Sequence, residues 1–169
     1  MWLSLRPDRL LAAYDNVTPA LLGEKGVRLL LCDLDYTLAP KYQPDPDEEL
    51  HRWLAEVQAA GVTVMILSNN RSPVRVERFC RDLGITYEGH AGKPSAKGFR
   101  RAMERCGVTP QETAMLGDKL LTDMLGAHNA GVMPVMVEPL GGPRGAWNRV
   151  LHALQAPWKA TSRKKHRER

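Results

Sequence analysis

Val27-Arg28-Leu29-Leu30-Leu31-Cys32-Asp33-Leu34-Asp35-Tyr36-Thr37-Leu38 decides how this chain is read. A short, almost unbroken apolar run is the pattern of a strand covered on both faces, as in a parallel sheet. Two carboxylates follow where the run stops, with a hydroxyl two positions further on. In open parallel sheets the carboxyl ends of the strands face the ligand crevice. Asp33 and Asp35 are therefore expected at a site, close enough to disfavour each other's ionisation. A hard divalent cation such as Mg²⁺ relieves that repulsion and prefers carboxylate and carbonyl oxygen. The plain alternative is a strand-end turn, where aspartate is common.

Further along, the same grammar repeats. Asp45-Pro46 starts a helix with Leu50, Trp53, Leu54 and Val57 at helical spacing, closed by Gly61. Val62 to Leu67 is a second strand, ending in Ser68-Asn69-Asn70-Arg71, and Ser72-Pro73 opens the next helix. Ile85-Thr86-Tyr87 is a short third strand, followed by Gly92-Lys93-Pro94-Ser95 and a helix to Cys106. Thr113 to Leu116 is a fourth strand, running into Gly117-Asp118-Lys119-Leu120-Leu121-Thr122-Asp123. A helix to Ala130 and a fifth strand, Val132 to Val137, precede a Gly/Pro loop and a last helix over 146–155. Strand and helix in alternation predict an α/β fold, a three-layer, Rossmann-like arrangement around a central five-stranded parallel sheet. Each polar cluster sits at a strand terminus, so Asp33, Asp35, Ser68, Lys93, Asp118 and Asp123 are expected to converge along one edge.

Upstream of the opening strand, residues 1–26 are expected to form a helical leader packed on the body. One piece runs from Asp8 to Ala13 behind Pro7, and a second from Thr18-Pro19 to Gly26. Residues 27–156 make the main domain and 157–169 a basic, disordered tail. That tail holds six cations against Glu168, which equals the whole net charge of +5, so the body is neutral. A terminal basic run is a solvated end or a docking element for an anionic surface, lipid or nucleic acid. Cys32, Cys80 and Cys106 are widely spaced and odd in number, which reads as reduced, intracellular thiols. No run reaches the roughly 18 apolar residues of a spanning helix, and the N-terminus lacks the layout of a signal peptide. His90 and His128 read as surface residues, Arg71 as either a second anion contact or a helix-start surface arginine, and Trp53 and Trp147 as core.

The cluster has the parts for phosphoryl chemistry. Asp33 and Asp118 can share a Mg²⁺, with a backbone carbonyl and water completing the shell. Lys93 and the Ser68 hydroxyl are then free to hold the oxygens of a dianion. One carboxylate can attack phosphorus while the other moves the proton.

Together, Asp33-Leu34-Asp35-Tyr36-Thr37-Leu38, strand-end Ser68, Lys93-Pro94 and Gly117-Asp118 with Asp123 resemble, in order, the four motifs of the haloacid dehalogenase-like (HAD) phosphatases. The resemblance covers roughly residues 27–138. It implies Asp33 as nucleophile and Asp35 as general acid/base, with Ser68, Asn69 and Lys93 on the substrate phosphate. It further implies Mg²⁺ on Asp33, Asp118 and the Asp35 main-chain carbonyl, with Asp123 and Thr37 supporting from outside. The acid pair on the first motif strand sets the chain apart from receiver domains, whose phosphorylated aspartate lies on a later strand.

A finer resemblance is to the YqeG-like group of subfamily IIIA, related to the mitochondrial phosphatidylglycerophosphate phosphatase. It rests on Thr18-Pro19, Ser68-Asn69-Asn70, Leu120 to Gly126 and Val137-Glu138-Pro139-Leu140. Tyr36 stands where that group has Asn, and Lys119 where Gln is common. This resemblance implies a phosphomonoester substrate borne on a lipid. Such a substrate would give the basic tail a purpose as a peripheral contact to an anionic membrane, and the reduced thiols point to a cytoplasmic location. The spacing from Asp33 to Ser68 and from Ser68 to Lys93 leaves no room for a large cap domain. A soluble nucleotide or sugar phosphate is the rival substrate. An RNA- or ribosome-binding module with a vestigial site is the rival class.

Overall fold

The structure is a computed structural model that describes residues 5–70 and 72–141. The expected last helix, the basic tail, Arg71 and Trp147 lie outside the described residues. The chain order is β1 (Arg9–Leu11), α1 (Pro19–Glu24), β2 (Leu29–Cys32), α2 (Glu48–Ala59), β3 (Thr63–Leu67) and α3 (Pro73–Leu83). It continues with β4 (Thr86–Glu88), α4 (Lys97–Cys106), β5 (Thr113–Gly117), α5 (Leu125–Ala130) and β6 (Met133–Val137). All strand pairs are parallel, in the order β1-β6-β5-β2-β3-β4.

The sheet is covered on both faces, and the period-2 alternation of strand side chains sorts them between two cores. Leu30, Cys32, Val64, Ile66, Ala114, Leu116, Val135 and Val137 point to the side of α2 and α3, against Trp53, Val57, Val76 and Phe79. Leu29, Leu31, Met65, Leu67 and Met115 point the other way, against Phe99, Ala102 and Met103 of α4 and Ala127 of α5. This is the expected three-layer α/β fold. Loop, α2 and β3 occupy the interval from Asp33 to Ser68, and α3 with β4 most of that from Ser68 to Lys93, so no large cap stands in either place.

Two local expectations are corrected. Residues 9–11 form a strand, not a helix, so the sheet has six strands and not five. β1 lies in register with Val135, Met136 and Val137, and the Asp8 amide donates to the Pro134 carbonyl at 2.9 Å. Leu5 and Leu10 pack on Leu120, Met124 and Met136. Pairing with a free sheet edge outweighs the helix signal of Pro7. The second correction is smaller: α2 is capped by Asp47, whose carboxylate accepts from the Leu50 amide at 2.9 Å. Asp45 instead holds Arg78.

The leader is also anchored through Tyr14, which meets Trp53 edge-on at 5.1 Å between ring centroids. Trp53 Nε1 in turn donates to the Val17 carbonyl at 2.9 Å. On the far side, His128 Nε2 lies 2.9 Å from the Arg6 carbonyl, so this histidine fastens the leader to α5.

Candidate active site

β2 lies between β3 and β5, and the chain leaves β2 for the β3 side before crossing back to β5. Such a reversal in connection opens a crevice at the strands' carboxyl ends. A cleft of about 730 Å³ lies there, with Asp33, Asp35, Ser68, Asn69, Lys93 and Lys119 on its walls.

Asp33, one residue past β2, is held in the sheet frame by its amide, which donates to the Leu116 carbonyl at 2.9 Å. Asp118 is the matching residue past β5. Asp123 comes from the π-helical turn Leu120–Met124 that follows. One carboxylate oxygen from each of Asp33, Asp118 and Asp123 lies within 4.8 Å of the others, and all three residues are buried. Gly117 makes this possible, since a Cβ there would run into the carboxylate and Cβ of Asp123.

Two ammonium groups answer the three acids. Lys93 Nζ donates to Asp33 Oδ1 at 3.1 Å and to Asp123 Oδ1 at 2.7 Å, with its side chain only 2% exposed. Lys119 Nζ lies 3.4 Å from Asp33 Oδ2 and 3.2 Å from Asp118 Oδ1. Thr37 donates its hydroxyl to Asp118 Oδ1 at 3.1 Å, and the Lys119 amide donates to Asp123 Oδ2 at 3.2 Å.

Protonation follows from this pairing. Burial works against ionisation of Asp33, but Lys93 and Lys119 outweigh it and hold its carboxyl below the ordinary range. Asp123 is pushed up to about 6, by burial first, with Asp33 and Asp118 adding to it against Lys93. Burial also raises Asp118, and Lys119 only partly offsets that. Lys93 stays protonated: burial lowers its pKa, yet Asp123 and Asp33 more than restore it.

The remaining expected residues fall around this core. Asp35 lies apart from the acidic cluster and accepts from Arg75 Nε at 2.7 Å. Arg75 also donates to the Pro40 carbonyl at 3.0 Å and to the Gln43 carbonyl, and it stacks over Phe79. The Ser68 hydroxyl accepts from the Asn70 amide at 3.0 Å. Asn69 is bonded both ways to the backbone of Lys93, donating to its carbonyl at 2.9 Å and accepting from its amide at 2.8 Å. That double bond couples the β3 and β4 loops and sets where the lysine starts. His90 is exposed, in a loop with φ of 50°.

Sequence reasoning did not single out Arg75, and it noted Lys119 only as a departure from a relative's pattern. Arg75 sits in the first turn of the helix that follows a site strand, and that position was the available signal. A donor set of three buried carboxylates suits a hard divalent cation.

Comparison with known proteins agrees with the geometry. Residues 9–131 match the family described as haloacid dehalogenase-like hydrolase. The chain is 34% identical to the probable phosphatase YqeG of Bacillus subtilis (strain 168) over 139 residues, 82% of this chain and 80% of that protein. It is 32% identical over 99 residues to the phosphoserine phosphatase of Thermus thermophilus, covering 53% of this chain and 39% of that protein. In fold it is similar to the cobalt-bound deoxy-D-mannose-octulosonate 8-phosphate phosphatase of Haemophilus influenzae. The TM-score is 0.54 at 19% identity, over 82% of this chain and 92% of that one.

Proposed function

The chain belongs to the haloacid dehalogenase-like hydrolases, and from that premise we propose that it is a Mg²⁺-dependent phosphatase acting on phosphomonoesters through an aspartyl-phosphate on Asp33. The observation that carries this reading is the meeting of Asp33, Asp118, Asp123 and Lys93 at one strand edge. Asp33, Asp118 and the main-chain carbonyl of Asp35 would hold the ion. Once bound, it supplies charge neutralisation and polarisation of the phosphoryl oxygens.

The protein's own groups do the rest. Asp33, its carboxylate paired with Lys93, attacks phosphorus. Asp35 gives its proton to the leaving alkoxide oxygen as the P–O bond breaks. In the second half it takes a proton from water, which attacks the acyl phosphate and releases inorganic phosphate and free Asp33. Lys93, fixed beforehand by Asp33 and Asp123, stabilises charge on the transferring group, and the Ser68 hydroxyl and Asn69 assist. Asp123 and Thr37 orient Lys93 and Asp118 from behind.

For the substrate we propose phosphatidylglycerophosphate, a phosphate carried on a lipid, with the enzyme working in the cytoplasm at the membrane's inner face. No large cap stands over the cleft among the described residues. Among the described residues, the exposed large apolar side chains Tyr42, Val74 and Leu121 all follow the carboxyl ends of β2, β3 and β5, on the side of the cleft. The basic tail adds charge suited to anionic lipid. No helix among the described residues is long and apolar enough to cross a membrane, so any such contact made by these helices is peripheral.

Phosphate release tests the reading, measured with Mg²⁺ or with chelator. The substrates are vesicle-borne phosphatidylglycerophosphate and a panel of nucleotide and sugar phosphates. We expect Mg²⁺-dependent release, fastest from the lipid. Faster turnover of a small ester would replace the substrate assignment. No release from any ester, together with salt-sensitive RNA binding, would replace the enzyme reading by a binding module.

A further inference from the structure

Lys119 has no part in the mechanism above, yet its ammonium lies against two of the three clustered acids. Its Nζ spans the two carboxylates proposed to hold the metal, at 3.4 Å from Asp33 Oδ2 and 3.2 Å from Asp118 Oδ1. Those side chains are 11% and 3% exposed, whereas that of Lys119 is 41% exposed and can swing outward. Lys93 takes the other oxygen of Asp33, so the two lysines divide that carboxylate between them. The Lys119 ammonium also lies 5.8 Å from the ring centroid of Tyr36, an aromatic face that attracts a cation.

A divalent ion binds carboxylate oxygen at about 2.1 Å in a near-octahedral shell. An ion on the same two oxygens would stand only a few ångströms from the ammonium, with like charge and overlapping demand for lone pairs. Charge balance points the same way. Three carboxylates with Lys93 and a divalent ion sum to zero without Lys119, and to an excess positive charge with it.

We propose that Lys119 is a tethered counter-cation of this site. It neutralises Asp33 and Asp118 when the metal is away, and it must withdraw toward Tyr36 for the metal to enter. It therefore sets the concentration at which the site fills. This inference rests on the metal-dependent reading above.

The experiment is calorimetric titration of Mg²⁺, and of Mn²⁺ followed by electron paramagnetic resonance, into the metal-free full-length protein. Wild type, Lys119→Gln and Lys119→Arg are compared, with thermal unfolding in chelator and at saturating Mg²⁺. Lys119→Gln is expected to bind either ion about tenfold more tightly, since a like charge has been removed from the site. Lys119→Arg keeps the competing charge and should stay near wild type. In chelator Lys119→Gln should melt below wild type, and saturating metal should close the gap. Equal or weaker binding by Lys119→Gln, with wild type binding normally, would overturn the proposal and leave the phosphatase reading standing. Absence of binding by wild type and variant alike would overturn both. A melting deficit that persists unchanged at saturating metal would mark Lys119 as structural only and also overturn the proposal.

Discussion

Lys93 donates to Asp123 at 2.7 Å in a contact closed to solvent, the lysine 2% and the aspartate 0% exposed at the side chain. Removing one member leaves an ammonium with a single partner in a low-dielectric place. Asp123→Ala should therefore cost about 3 kcal/mol in urea unfolding, the usual scale for breaking a buried pair. A shift in midpoint too small to measure would mean that Lys93 is satisfied by Asp33 alone.

Gly117 is the position where β5 leaves no room for a side chain. Gly117→Ala would push a methyl group into the Asp123 carboxylate. We expect a loss of roughly 1–3 kcal/mol, the range for overpacking, and a matching fall in phosphatase activity. Unchanged melting temperature and activity together would show that the turn at Leu120–Met124 yields easily.

Asp33→Asn should reduce turnover by about 10³-fold or more while leaving the melting temperature within a few degrees of wild type. Asp35→Asn should slow both halves of the reaction and allow phosphoenzyme to accumulate. Rapid quench with labelled substrate checks both. Label on a residue other than Asp33 would remove it as the nucleophile.

Arg75 reaches Asp35, Pro40 and Gln43 at once and so fixes the acid/base side chain against its own loop. Arg75→Ala should lower kcat by about 10- to 100-fold, as loss of an orienting partner does, with a smaller effect on KM. A rise in KM alone would make Arg75 a substrate contact instead.

Tyr14 provides a pH signature away from the cleft. Burial, followed by Asp47, Asp15 and Glu49, raises its pKa from 10.0 to about 12. Below pH 10 both folded and unfolded states keep the proton, so the group adds no pH dependence. Between 10 and about 12 the unfolded chain loses it first, and stability falls as pH rises. Melting temperatures over that window should decline more steeply for wild type than for Tyr14→Phe. Parallel curves would contradict the assignment.

The sequence by itself determined the alternation of buried strands and amphipathic helices and the polar residues that end each strand. These signals are local: a run such as Leu29 to Cys32 can be buried on both faces only in a covered sheet, and its first carboxylates must lie at the rim. Tertiary structure alone decided what depends on neighbours far along the chain. Arg9–Leu11 carries no period long enough to read, and it became a strand because β6 offered an unpaired edge. Lys119 against Asp33 and Arg75 against Asp35 join positions 86 and 40 residues apart. Long flexible cations carry no trace in the sequence of which carboxylate they will face, because that choice belongs to the packed loops and the field of charges they bring together.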